Sequence, residues 1–151
     1  MAFEKTPSGT RGPRASSAPS WVTRAMVWWH RRKGDTFQGM DLLYLTTTGA
    51  KTGEKRQTPV SYLSDGDDAW LIVASAAGAA RHPGWYHNIA AHPDQVSIEV
   101  GGQHVHVTPE QLEGDRRDQA FQRFATRFPR YGGYQQKTDR MLPVIRLARA
   151  A

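Results

Sequence analysis

A run of β-prone residues, Leu42-Leu43-Tyr44-Leu45-Thr46-Thr47-Thr48, meets the turn Gly49-Ala50-Lys51-Thr52-Gly53, and a second run opens at Lys55-Arg56. Two glycines free the backbone to curl between two strands, so this stretch commits the chain to a hairpin. It is not a phosphate-binding loop of the strand-to-helix kind, because the order of Lys and Gly is wrong and a strand follows it. Two readings of the turn remain. Its exposed amides with Lys51 and Arg56 would make an anion cradle, or the basic residues are simply solvated on an ordinary hairpin.

The chain beyond the turn keeps the same grammar. Strands are expected at about 41–48, 55–64 and 68–75, with Asp65-Gly66-Asp67 turning the second into the third. Small residues, Ala76 to Ala80, lead to a short helix over His82–His92, with Pro83 suited to its first turn. Gln95–Val100 and Gln103–Thr108 alternate around Gly101-Gly102, a two-residue hairpin signal. Pro109–Gly114 reads as a connector, and Asp115–Phe128 has helical spacing that Pro129 stops. A short helix around Gly133–Lys137 and a last strand, Leu142–Leu147, complete the pattern. Six or seven short strands without a βαβ rhythm predict an α+β, mainly β fold built on an antiparallel barrel.

The first 33 residues differ from the rest. They hold seven Lys or Arg against Glu4 alone, and the remainder carries 13 basic and 13 acidic residues. The net charge of +6 therefore belongs to the N-terminal arm, and no nucleic-acid surface is expected on the body. Residues 1–19, rich in Ser, Pro, Gly and Arg, read as a disordered basic tail ahead of a single domain, 20–151. Ser20 is suited to cap a helix over Trp21–Arg32. Its stripe of Trp21, Val22, Ala25, Met26, Trp28 and Trp29 packs on the barrel, or sets tryptophans among Arg and Lys at lipid headgroups. No apolar run approaches the roughly 20 residues that span a bilayer. The absence of cysteine excludes disulfides and thiol nucleophiles and fits a reducing compartment.

Much familiar chemistry is missing. No His-Glu-x-x-His spacing exists for zinc, and His104 and His106 read as solvated strand histidines, so no metal site is expected. No Gly-x-Ser-x-Gly elbow presents a nucleophile. A chain offering aromatic walls without a strong acid–base pair suits a cofactor that brings its own reactivity.

In order, Thr-Thr-Gly-x-Lys-Thr-Gly-x-x-Arg, the Asp-Gly hairpin, Val73-Ala74-Ser75, Pro83-x-Trp85-Tyr86-x-Asn88, and Tyr134-Gln135 with Thr138-Asp139-Arg140 resemble the deazaflavin-dependent nitroreductase family over roughly Trp28 to Leu147. That resemblance implies a split β-barrel with an N-terminal helix and two or three further helices, and coenzyme F-420 as cofactor. It places Ala50, Lys51, Thr52 and Arg56 at the phosphate and oligoglutamate tail. Arg would grip such groups bidentately and Lys would act as a point charge. By the same resemblance Gln57, Thr58, Pro59 and Val60 lie on the strand passing the ring. Val73, Ala74, Ser75 and Ala76 face the ring, and Gly84, Trp85, Tyr86, His87 and Asn88 close the groove.

The catalytic residues so implied are Ser75, Tyr131 and Tyr134, with a tyrosine hydroxyl and Ser75 hydrogen-bonding the acceptor's oxygen as hydride arrives. The reaction implied passes hydride from reduced F-420 to a quinone, enone or nitroaromatic acceptor. Two departures stand out. Phe128 replaces a tyrosine of the nitroimidazole-reducing member, and Ala76-Ala77 replace a Lys-Gly pair. The alternatives are an FMN-binding split-barrel oxidoreductase and a non-catalytic deazaflavin- or lipid-binding module. The location expected is cytoplasmic, with residues 20–33 as a peripheral contact on the inner face of the cell membrane.

Overall fold

The hairpin expected around Gly49–Gly53 forms one corner of a barrel. A computed structural model describes residues 3–12, 36–37 and 40–150. The strands are β1 (Thr36–Phe37), β2 (Met40–Thr48), β3 (Lys55–Ser61), β4 (Leu63–Ser64), β5 (Ala69–Val73), β6 (Ser97–Val100), β7 (Gln103–Gln111) and β8 (Val144–Arg149). The helices among these residues are α1 (Gly84–Ala91), α2 (Gly114–Arg127) and α3 (Arg130–Lys137), with a 3-10 turn at Ala76–Gly78. The expected helix over Trp21–Arg32, residues 13–19 and the membrane contact at 20–33 lie outside the described residues. Among the described residues no helix is long and apolar enough to cross a membrane.

Every pairing is antiparallel, in the order β2-β6-β7-β8-β5-β4 with β3 on the free side of β2. Only Tyr62 separates β3 from β4. Ser61 pairs with Leu42 on β2, and Leu63 pairs with Leu71 on β5. One bent segment thus joins the two ends of the sheet, which is the closure a split barrel requires.

Side-chain alternation then sorts the core into two layers. Trp70 and Ile72 of β5 and Ile145 and Leu147 of β8 point inward with Leu43, Leu45, Ile98, Val105 and Val107, joined by Trp85, Tyr86 and Ile89 of α1. Leu71, Val73 and Val144 point outward beneath Ala120 and Phe124 of α2 and Phe128 and Tyr131. Both faces of β5 are therefore covered, which is why Ala-Trp-Leu-Ile-Val is apolar throughout.

Three local departures from the sequence expectation have physical causes. First, β7 does not end at Thr108 but runs to Gln111, with Pro109 opposite Leu147. Val107 donates its N–H toward β6, at Val96 O, so the nitrogen of residue 109 faces the same side. There β6 has already ended, and the missing N–H costs no ladder bond. Second, Pro129 both stops α2 and opens α3, so α3 begins three residues early and holds Gly132 and Gly133 inside it. Third, residues 3–12, placed by composition in a disordered tail, lie as an extended strap on the body. Thr6 N–H and Oγ1 reach the Tyr86 hydroxyl at 2.9 and 3.1 Å, and Gln111 Nε2 donates to Glu4 O. Asp139 accepts from the N–H of Thr10 and Arg11 and from Thr10 Oγ1, while Phe3 packs 5.6 Å from the Tyr86 ring. These polar pairings are invisible to an argument from apolar content.

Candidate active site

At the end of β5 the chain leaves the barrel through Ala74 and Ser75 and makes a left-handed turn. Ala76, Ala77 and Gly78 have φ of 44, 53 and 83°. Only Gly adopts this region without strain, so two alanines here must be held by their surroundings. Arg140 supplies that hold. Its guanidinium donates to Ala74 O, Ser75 O and Ala79 O at 2.8–2.9 Å. A Cβ at Gly78 would come within 2.6 Å of Tyr134 O, so α3 packs directly on the turn.

This turn forms one wall of a cavity of about 210 Å³. Pro59, Val60 and Ser61 of β3 form a second wall, Pro83 and Trp85 a third, and Val73 and Tyr131 line it between them. Of the residues singled out from sequence, Pro59, Val60, Val73, Ser75, Ala76, Trp85 and Tyr131 meet here. Ser61 joins them without having been singled out, as do Ala77 and Pro83, which were quoted in motifs but not assigned to the site. Ser61 shares a strand face with Pro59 two residues before it, so alternation alone could have found it.

The Tyr131 ring is buried, and Ser61 lines the cavity with it. Burial pushes its pKa above the usual tyrosine value. Tyr131 therefore stays protonated at neutral pH and acts as a hydrogen-bond donor. Tyr134 stands edge-on to it, centroids 5.5 Å apart, just outside the cavity lining. Phe128 is buried beside Tyr131.

The hairpin turn is tied to α1 three residues beyond Trp85, through Asn88. Gly49 N–H donates to Glu54 O at 2.7 Å and Gly53 N–H to Gly49 O at 2.9 Å, with Gly53 at φ 72°. Asn88 of α1 ties the turn down: its Oδ1 accepts from Ala50 N–H at 3.0 Å and its Nδ2 donates to Thr47 Oγ1 at 3.2 Å. Thr52 Oγ1 accepts from Glu54 N–H. Lys51 is exposed, and Arg56 is 3.6 Å from the exposed Glu54 carboxylate, a weak pairing in water. Gln57 and Thr58 continue β3 opposite Thr46 and Leu45.

Four residues grouped with the groove by sequence sit elsewhere in the architecture. Ala74 and Tyr86 are fully buried, and the Tyr86 hydroxyl also bonds Gln111. His87 Nδ1 lies 3.3 Å from Lys5 Nζ of the strap, and Gly84 opens α1. The quoted Gln135 and Asp139 are structural ties: Gln135 links Arg117, Leu142 N–H and Arg140 O, and Asp139 anchors the strap. Among the described residues no cluster of three metal-ligating side chains occurs, and His104 and His106 lie 5.3 Å apart on β7.

A family model described as F-420H(2)-dependent quinone reductase matches residues 21–148. The chain belongs to the F-420H(2)-dependent quinone reductase family. An F-420H(2)-dependent quinone reductase of Mycobacterium tuberculosis is 46% identical over 110 residues, 71% of this chain and 72% of that protein. Among solved structures, an F-420-H2 dependent reductase, FDR-A, is 36% identical with a TM-score of 0.63, covering 70% of this chain and 92% of that one. The haem-storage protein HutZ of Vibrio cholerae, at 18% identity and a TM-score of 0.53, covers 85% of this chain and 91% of its own and shares the fold alone. The span matched to the quinone reductase family contains every residue of the cavity lining and Arg140, and leaves out the strap.

Proposed function

We propose that this chain is a reductase that transfers a hydride from reduced coenzyme F-420 to a quinone-class acceptor in the cavity between β3, the Ala76–Gly78 turn, α1 and Tyr131. The observation that carries the reading is that cavity: apolar walls meet three hydroxyls, those of Ser61, Ser75 and Tyr131, and a basic hairpin is docked on α1 three residues beyond its Trp85 wall. The residues present fit the cofactor. Pro59, Val60, Val73 and Trp85 suit the faces of a flat ring, and Lys51 and Arg56 suit a phosphodiester and carboxylates.

When bound, the deazaflavin supplies the hydride. The chain's own task is to hold ring and acceptor close and to exclude water. Trp85 and Pro59 would hold the ring, and Asn88, which keeps the hairpin docked, would leave Lys51 and Arg56 to bind the anionic tail. Tyr131 and Ser75 would donate hydrogen bonds to the acceptor oxygen on which charge develops. Tyr134 backs Tyr131 as a second ring just outside the cavity lining.

Purified protein mixed with reduced F-420 and menadione is expected to reduce the quinone at a rate far above background, read as the return of the oxidised cofactor's visible absorbance. No rate above background overturns the reading. Charge reversal at Lys51 and Arg56 together is expected to weaken F-420 binding by about a hundredfold, the loss of two charge-assisted contacts. Unchanged affinity would move the anionic tail elsewhere.

A further inference from the structure

Arg140 is 1% exposed, and among the described residues no carboxylate pairs with it. Burial draws its pKa down to about 10, which leaves it charged at neutral pH. Charges are seldom kept inside a fold unless their donors are all engaged. Here three carbonyls around the turn and one histidine engage four of the guanidinium's five N–H groups, since Arg140 Nη1 also lies 2.8 Å from His82 Nδ1. A guanidinium only donates, so His82 Nδ1 is the acceptor and the ring's proton sits on Nε2. That Nε2–H donates to Thr6 O of the strap at 2.7 Å. The imidazole is thus fixed in its neutral form by two partners on opposite sides.

We propose that Arg140 and neutral His82 are positioning residues of the cofactor groove, holding the wall from Ala74 to Ala79 in its binding shape and releasing it when His82 takes up a proton. The inference rests on reading the cavity as the deazaflavin site. A second proton on His82 would point at Arg140 across 2.8 Å, abolishing a hydrogen bond and adding repulsion. Among the described residues only the backbone of Thr6 and Pro7 favours an imidazolium, and no carboxylate faces the ring. Its neighbours are Arg140, the Tyr86 ring at 4.5 Å, the His87 ring at 5.8 Å with Lys5 behind it, and Thr6 O. All are neutral or cationic. Neither Arg140 nor His82 lines the cavity, so their effect on the ligand passes through the Ala76–Gly78 turn.

The test is a fluorescence titration of F-420 into full-length protein between about pH 8 and pH 5.5, with His82→Gln and His87→Gln alongside. Glutamine keeps a neutral acceptor for Arg140 at every pH. Dividing the wild-type Kd by the His82→Gln Kd removes the cofactor's own titration. That ratio is expected to rise about tenfold as pH falls through the range, one charge-assisted hydrogen bond lost. The same ratio taken with His87→Gln stays flat. A flat His82→Gln ratio overturns the proposal, as does a rising His87→Gln ratio. If His82→Gln does not fold, the imidazole titration followed by NMR in the wild type takes its place. A His82 that gains its proton without loss of F-420 affinity then overturns the proposal. A merely structural role would lower thermal stability and leave these affinity ratios level. Absence of binding at every pH overturns the deazaflavin reading itself, and this inference with it.

Discussion

Asn88 shows how one side chain can set the geometry of a distant charge. Its amide spans from Ala50 N–H to Thr47 Oγ1 and so fixes the turn that carries Lys51. Asn88→Ala removes both bonds, and we expect a stability loss of about 1–2 kcal/mol by thermal unfolding, with a several-fold weaker F-420 Kd. A loss of stability with unchanged affinity would separate the turn from the ligand. Tyr131 makes the complementary case. Tyr131→Phe keeps the ring packing against Phe124 and Phe128 and removes only the hydroxyl. Turnover with menadione is expected to fall about tenfold or more while F-420 affinity stays within about twofold. A proportional loss of both would make Tyr131 part of the cofactor wall. Which residue belonged to which role was partly legible in advance. Pro59, Ser75 and Trp85 could be grouped by order along the chain, whereas Tyr86 could not be told from Trp85. Both are aromatic neighbours on one helix, and only the strap and Gln111, contacts far away in sequence, draw the Tyr86 hydroxyl away from the groove.

At the level of elements, alternation and turn chemistry found the strands because each carries its own signal. β2, β5 and β8 fall within a few residues of their expected positions. The end of β7 was hidden because Pro109 carries a strong breaker signal, and only the early end of β6 makes it harmless. The strap was hidden for the opposite reason. Its order comes chiefly from Asp139, Gln111, His82 and Tyr86, with Phe3 packed against the core beside them. Removing residues 1–12 is therefore expected to lower stability by about 1–3 kcal/mol, because the Tyr86 hydroxyl, the Asp139 carboxylate and His82 Nε2 all lose partners. Thermal melts of the two proteins decide this, and equal melting temperatures would mean the strap adds nothing.

For the molecule as a whole, acid should act in two stages. Burial first, and then the Arg140 charge, hold the His82 pKa below its ordinary value of 6.5. Stability linked to it is complete above about 6.5 and is lost as pH falls through the lower folded value. Asp65, held down mainly by Arg146, and Glu110, held down mainly by Arg116, also have depressed pKa values. Their contribution is present above their ordinary values of 3.8 and 4.5 and disappears at lower pH. Melting temperature against pH is expected to fall in two steps, and His82→Gln should erase the upper one. A single step near pH 4 in the wild type would remove His82 from the account.

The bent segment from Lys55 to Ser64 has one more implication. Pro59, Val60 and Ser61 face the cavity and pair with β2, and Leu63 and Ser64 just beyond them pair with β5. The seam of the barrel and the lip of its groove are one piece of chain. A molecule seated there would act as a fastener. With ligand at about 100 times its Kd, opening of that seam becomes harder by about 2.7 kcal/mol, and amide exchange at Ser61 and Tyr62 should slow before it slows anywhere on α2.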